Sequence, residues 1–216
     1  MFALIFEYGF EKLYITLTNQ NRKAEERKAR RNLILKGALS VFKEQGIDGA
    51  TMEHIAAEAG FGTASLYYYF PKKEDVFSAI MVKGWQQLWD SCEDTIESNH
   101  SPKEKFLSIL NIIANHILKE QNLYSFLFTA PQHSIHFNSE PWKEFQGKLY
   151  KTLEELLKAG MDLGEFPKID SHLLFKAIGG SFHGILLMGN EQSSLSRKDI
   201  EGLFSRLLST TVSPHE

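Results

Sequence analysis

At 216 residues, with 43% hydrophobic and 24% charged positions, the chain has the make-up of an ordinary folded protein, long enough for one large or two small cored domains. A net charge of −3 excludes a generic polyanion binder, and a single cysteine, Cys92, excludes an intramolecular disulfide and fits a reducing cytoplasm. The charge is unevenly spread: residues 22–75 carry ten Lys and Arg against eight Asp and Glu. The densest basic run is Arg22–Arg31, an arm of the kind that pairs with phosphates.

The chain opens on MFALIF, but Glu7 interrupts the apolar run and no Lys or Arg precedes it. That lacks the charged start and longer apolar core of a signal peptide. No later run reaches the ~18 apolar residues of a membrane span. Residues 1–21 are therefore expected to be a weakly ordered extension, or the product of an upstream start codon. ITLT at 15–18 is the only strand signal, so the predicted fold class is all-α. Leu35, Ala38, Leu39 and Phe42 share one helical face, and Gly46 closes that helix. Thr51 caps a short helix carrying Ile55, Ala56 and Ala59, with Glu53 in its first turn, and Gly60 breaks it. A second short helix covers Thr63–Phe70, where Pro71 forces Phe70 out of the helical region. A long helix from 72 to 97 has Val76, Ile80, Val82, Trp85, Leu88 and Trp89 as apolar members. Further helices are expected over 103–119, 121–130, 142–160, 171–189 and 196–211, with Pro102, Pro131, Pro141 and Pro167 at or between their ends.

Two short helices joined by a tight Gly-containing turn, behind a longer basic helix, form the layout of a helix-turn-helix, whose second helix enters the major groove. Ala56 and Ala59 are small enough for close helix crossing, Gly60 can take a positive φ, and Ile55 and Leu66 supply the buried contact. Thr63, Ala64 and Ser65 let the second helix sit close to DNA. Tyr67, Tyr68 and Tyr69 follow in succession, and because each helical position turns by ~100° they cannot all be core. At least one presents its hydroxyl to a phosphate or base edge.

Residues 51–77, TMEHIAAEAGFGTASLYYYFPKKEDVF, resemble the signature of the TetR family of regulators. Thr51, Ile55, Ala56, Ala59, Gly60, Tyr67, Phe70, Lys73 and Glu74 match it in spacing, as does I-L-x-x-A-L-x-x-F at 34–42 with Gly46. The resemblance implies an all-α homodimer: a three-helix helix-turn-helix domain over 27–87 (motif 51–70), then a larger effector-binding and dimerisation domain over 88–216. It implies that Thr51 and Lys73 contact phosphates, that Thr63, Ala64 and Ser65 face the groove, and that Tyr67 and Tyr68 touch DNA. Gly62, Ala64, Tyr69 and Lys72 depart from the family pattern. Tyr69 stands where His is usual and stays a candidate contact, and Lys72 adds a second cation beside the phosphate.

The C-terminal half offers less. Residues 173–189 are apolar nearly all round, which a monomer's surface helix would not be. With Ile200, Leu203, Phe204, Leu207 and Leu208 they suggest two helices per subunit in a four-helix dimer interface. Its expected residues are Leu174, Ile178, Phe182, Ile185, Phe204 and Leu208. Phe106, Leu110, Ile113, Phe126 and Phe145 are the candidates to line an apolar pocket for a small apolar or aromatic effector. Phe128, Phe137 and Trp142 add to the aromatic supply. His133 and His136 are three apart without a Cys cluster, so no metal site is expected, and no cofactor. Cys92 reads as a buried packing residue. No P-loop, Rossmann glycine pattern or nucleophile elbow is present, so the chain is not expected to be an enzyme. The expectation is a cytoplasmic, dimeric repressor whose partners are double-stranded operator DNA, itself and a small effector, with no membrane. The alternatives are an activator or a helical DNA-binding dimer that answers to no effector.

Overall fold

Ala24, Ala29 and the Glu, Arg and Lys residues around them are strong helix formers, and the chain is helical from its first described residue. A computed structural model describes residues 2–129, 141–187 and 197–208. Helix α1 spans Phe2–Gly49. Residues 2–21 lie within it, and ITLT is helical because four alternating residues do not outweigh helical flanks. Gly46, at φ 71° and ψ 168°, interrupts α1, and one further turn carries the chain to Gly49.

Among the described residues every later element is also helical: α2 (Met52–Ala59), α3 (Thr63–Tyr69), α4 (Lys73–Glu97), α5 (Pro102–Lys119), α6 (Gln121–Thr129), α7 (Trp142–Asp162), α8 (Ser171–Leu187) and α9 (Arg197–Leu207). The all-α reading holds. Residues His133, His136 and Phe137, and the outer ends of the helices expected to reach 130, 189 and 211, lie outside the described residues. The chain divides into two compact units between Ala79 and Ile80, inside α4 and earlier than the 87/88 boundary read from the sequence.

In the first unit α1 buries Ile34, Leu35, Ala38, Val41 and Phe42, while Leu39 is half-buried. Against them lie Ile55 and Ala56 of α2, and the Phe42 and Phe77 rings meet edge to face at 6.4 Å. Gly37 sets the closest approach. A Cβ there would stand 2.8 Å from the Ala59 backbone nitrogen, so α1 and α2 touch backbone to backbone only because that position lacks a side chain. Ala59 was expected to ease the crossing of the two short helices; it instead faces α1.

In the second unit α5 packs against α6, α7, α8 and α9. Ser101 and Glu104 close a reciprocal capping box at its start, and Phe106, Ile109, Leu110, Ile113 and Ile117 form its buried stripe. Gly84 of α4 and Gly160 of α7 are the seats for Leu127 and Phe166, whose side chains occupy the space a Cβ would take. Cys92 is buried as expected, and burial pushes its thiol up to about 12, which makes it inert at neutral pH.

Candidate nucleic-acid interface and the C-terminal faces

Local sequence fixes the geometry of α2 and α3. Thr51 is extended, and its hydroxyl oxygen accepts a hydrogen bond from His54 N at 3.2 Å, which leaves the hydroxyl proton to donate outward. Gly60 takes the left-handed conformation (φ 73°, ψ 30°), and Phe61 N–H donates back to the Ala56 carbonyl at 2.8 Å. Phe70 is extended (φ −142°, ψ 113°), as the following Pro71 requires. His54 Nδ1 and Gln45 Oε1 lie 2.8 Å apart and tie α2 to the end of α1, a link with no sequence signal.

Leu66 is fully buried and so sets the rotation of α3. The tyrosines then sort as a 100° step demands. Tyr67 is 47% and Tyr68 71% exposed, whereas Tyr69 is half-buried with its ring edge-on to Tyr68 at 5.3 Å. Ala64 and Ser65 are exposed and Thr63 half-buried. The helix presents two phenols beside small side chains, a surface that can approach a groove closely and offer hydroxyls to it.

The two lysines behave differently. Lys73 Nζ donates to the carbonyls of Asp48 at 2.9 Å and Ala50 at 3.0 Å, so its ammonium locks the start of α4 to the α1–α2 turn. Lys72 is exposed. Of the two, the residue singled out by resemblance is engaged within its own domain, and the departure from the family pattern is the open cation. Sequence reading also missed what the basic run of α1 touches. The Arg27 guanidinium lies 5.7 Å from the Tyr68 ring centroid and that of Arg31 4.3 Å from the Phe70 ring.

In the second unit the expected pocket residues Phe106, Leu110, Ile113 and Phe126 are buried, with Phe106 edge-on to Phe166 at 5.7 Å. Phe145 is half-buried, with the Lys148 ammonium 5.8 Å from its ring. A separate aromatic group joins four helices. Trp85 meets Phe128 at 5.3 Å and Tyr150 at 5.7 Å, and Tyr150 meets Phe175 at 5.5 Å. Within this unit the buried Nε1 of Trp85, Nε1 of Trp142 and Oε1 of Gln87 have no hydrogen-bond partner among the described residues.

The residues named for a dimer interface lie mostly on inward faces of α8 and α9. Leu174, Ile178, Phe182, Phe204 and Leu208 are buried within the single chain, the Phe182 and Phe204 rings 5.8 Å apart, and Ile185 is half-buried. The open face carries Leu173 (64% exposed), Leu203 (40%) and Leu207 (57%), with Ala177 and Gly180 between. A helix apolar nearly all round gives periodicity nothing by which to tell its inward face from its open one. Among the described residues no group of three or more His, Cys, Asp or Glu could hold a metal, and no helix is long and apolar enough to cross a membrane.

Residues 34–80 match the family described as bacterial regulatory proteins, tetR family. The uncharacterized HTH-type transcriptional regulator YfiR of Bacillus subtilis (strain 168) is 26% identical over 155 residues, which is 67% of this chain and 72% of YfiR. The HTH-type transcriptional repressor KstR2 of Mycobacterium tuberculosis (strain ATCC 25618 / H37Rv) is 26% identical over 166 residues, 73% of this chain and 80% of KstR2. The solved structure of KstR2, a ketosteroid transcriptional regulator, superposes with a TM-score of 0.67 at 20% identity, over 82% of this chain and 92% of that one. These are regulators and not enzymes, and the last likeness shares the fold. Residues 34–80 thus carry the helix-turn-helix of the tetR family, and over most of its length the chain is similar to HTH-type transcriptional regulators.

Proposed function

We propose that the protein is a cytoplasmic homodimeric repressor that leaves its operator when a small apolar or aromatic molecule binds the second unit. The outward pair Tyr67 and Tyr68 carries the DNA reading: two exposed phenols, held in place by a fully buried Leu66, beside the small Ala64 and Ser65. Thr51 and Lys72 flank them as phosphate contacts, and Thr63 and Tyr69 border the surface. The likeness to KstR2, a named repressor, supports the sign.

Dimerisation is supported by Leu173, Leu203 and Leu207, apolar side chains left open on α8 and α9 that a second copy would cover. Two helices from each subunit make a four-helix seam. The effector reading is supported by the joined rings of Trp85, Phe128, Tyr150 and Phe175 and by the buried Trp85 Nε1, which has no hydrogen-bond partner among the described residues. Such a group costs ~1–3 kcal/mol unsatisfied. A ligand that parts these rings and offers a carbonyl or carboxylate to the Trp85 N–H would recover that cost, so an apolar body with one acceptor fits best.

Selection of duplexes from a random-sequence pool by the full-length protein tests the DNA half. The expected product is one palindrome with half-sites about one helical turn apart, ~34–36 Å, or a multiple. Titration of the selected duplex with lipophilic acids and ketones tests the other half. At least one compound should weaken binding by ~5–150-fold. Tighter binding would make the ligand a corepressor, a flat response to every compound would leave a DNA-binding dimer without effector, and no enriched sequence would overturn the regulator reading itself.

A further inference from the structure

We infer that the N-terminal part of α1 is a second DNA-contacting element, whose basic face of Lys23, Arg27, Arg30 and Arg31 grips the sugar-phosphate backbone of the duplex that α3 reads. The inference rests on the DNA reading of α3 and extends it.

Every residue from 20 to 33 is exposed, so apart from Arg31 over the Phe70 ring this stretch of helix adds little to the core of the fold. A helix without tertiary packing is marginal in water, and a chain that maintains one has a use for its surface. Helical spacing of three and four aligns Lys23, Arg27, Arg30 and Arg31 with Ile34, Ala38 and Val41 further along α1. The same face is therefore apolar and buried where the domain lies beneath it, and basic and open where it runs past the domain.

That open face begins at the reading helix. Arg27 lies over the ring of Tyr68 and Arg31 over that of Phe70, so the cations and the outward phenols form one continuous surface. Of the acidic residues, Glu26 borders this face, three positions from Lys23 and four from Arg30, and pairs with Arg22 at 3.8 Å, while Glu25 lies on the far side from Arg27. Lys23, Arg27 and Arg31 stand four apart, a like-charge spacing that destabilises an isolated helix and that a bound anion relieves. Burial, and after it the charge of Arg27, hold the Arg31 guanidinium below its ordinary value, as its place over the buried Phe70 ring requires. A polyanion supplies what this face lacks. Duplex DNA is the polyanion already placed beside it, and phosphates neutralised by Lys and Arg release counterions and give a measurable salt slope.

The test uses the full chain and the palindrome it selects from a random pool. Arg27 is left intact because it touches Tyr68, and Lys23→Gln with Arg30→Gln removes two charges while keeping good helix formers. The slope of log K against log salt should become shallower by roughly 1.8, two contacts at ~0.9 each. Discrimination between the selected duplex and one with a scrambled half-site should not change, because backbone contacts carry no sequence information. Circular dichroism and the melting temperature should match the parent, since both side chains are exposed. A parental slope in a folded variant overturns the role of α1 and leaves that of α3 standing. A parental slope together with binding of an acidic protein lost in the variant would assign the face to protein instead. If the parent itself shows no sequence preference, the α3 reading falls and this proposal with it.

Discussion

The outer face of α3 and the core of the second unit treat aromatic rings in opposite ways. On the first, Leu66 is buried and Tyr67 and Tyr68 turn to solvent, with the Arg27 guanidinium of α1 over the Tyr68 ring. In the second, Trp85, Tyr124 and Phe106 are fully buried, and rings meet rings edge to face. A ring held open at a fixed place leaves its apolar faces in water and adds little to folding, so its value lies in what later covers it. A buried ring is core before it is anything else, and any role in sensing a ligand is added to that. The contrast breaks cleanly under substitution. Trp85→Ala should lower stability by about 3–5 kcal/mol in denaturant unfolding, whereas Tyr68→Ala should stay within about 0.5 kcal/mol. In DNA titration Tyr68→Ala should nevertheless weaken operator binding by about 1–3 kcal/mol. Equal losses of stability in the two variants would mean that Tyr68 is core after all.

Lys72 and Lys73 sharpen the same contrast within one turn of chain. Lys73→Ala removes a charged donor from two carbonyls that bind the α1–α2 turn, and should cost about 1.5–3 kcal/mol of stability. Lys72→Ala should leave the unfolding curve where it is and make the salt slope shallower by about 0.9, one phosphate contact. The reverse pattern would restore the phosphate role to Lys73.

Much of the reading head was legible because its signals are local. A capping Thr, a positive-φ Gly60, a Pro71 that ends α3 and three successive tyrosines each act within a few residues. What was missed depends on side chains distant in sequence. Gly37 gives no signal until Ala59 is placed against it, and the basic run names no partner for Arg27 until Tyr68 lies beneath it. Lys73 carries the family's spacing, yet only the positions of two carbonyls reveal where its ammonium goes. In α8 the pattern was legible as apolar but not as directional. Leu173 and Leu174 are neighbours of equal hydropathy, one open and one buried, and nothing in their order tells which.

The smallest expected effect concerns a polar chain in the second unit. Ser91 Oγ donates to the Gln87 carbonyl at 2.7 Å, so it accepts from His116 Nε2–H at 2.9 Å. That leaves His116 Nδ1 to accept from the Tyr124 hydroxyl at 3.0 Å, and the chain runs in one direction from α6 through α5 to α4. Burial, the largest cause, lowers the His116 pKa below its unfolded value of 6.5, with Lys119 acting in the same sense and Glu120 against it. The imidazole is thus neutral in the fold, which the hydrogen bonds also require, since a proton on Nδ1 would face the Tyr124 O–H and force it to turn. Between the folded pKa and 6.5 the unfolded chain binds more protons, so stability rises with pH across that window. It is fully present above 6.5 and falls as pH drops toward the folded pKa, below which the loss levels off. Melting curves at pH 7.5 and 5 should therefore separate more for the parent than for His116→Gln, which keeps a donor and an acceptor but cannot titrate. Equal separations would mean that the imidazole takes up its proton in place, without cost to the chain of hydrogen bonds around it.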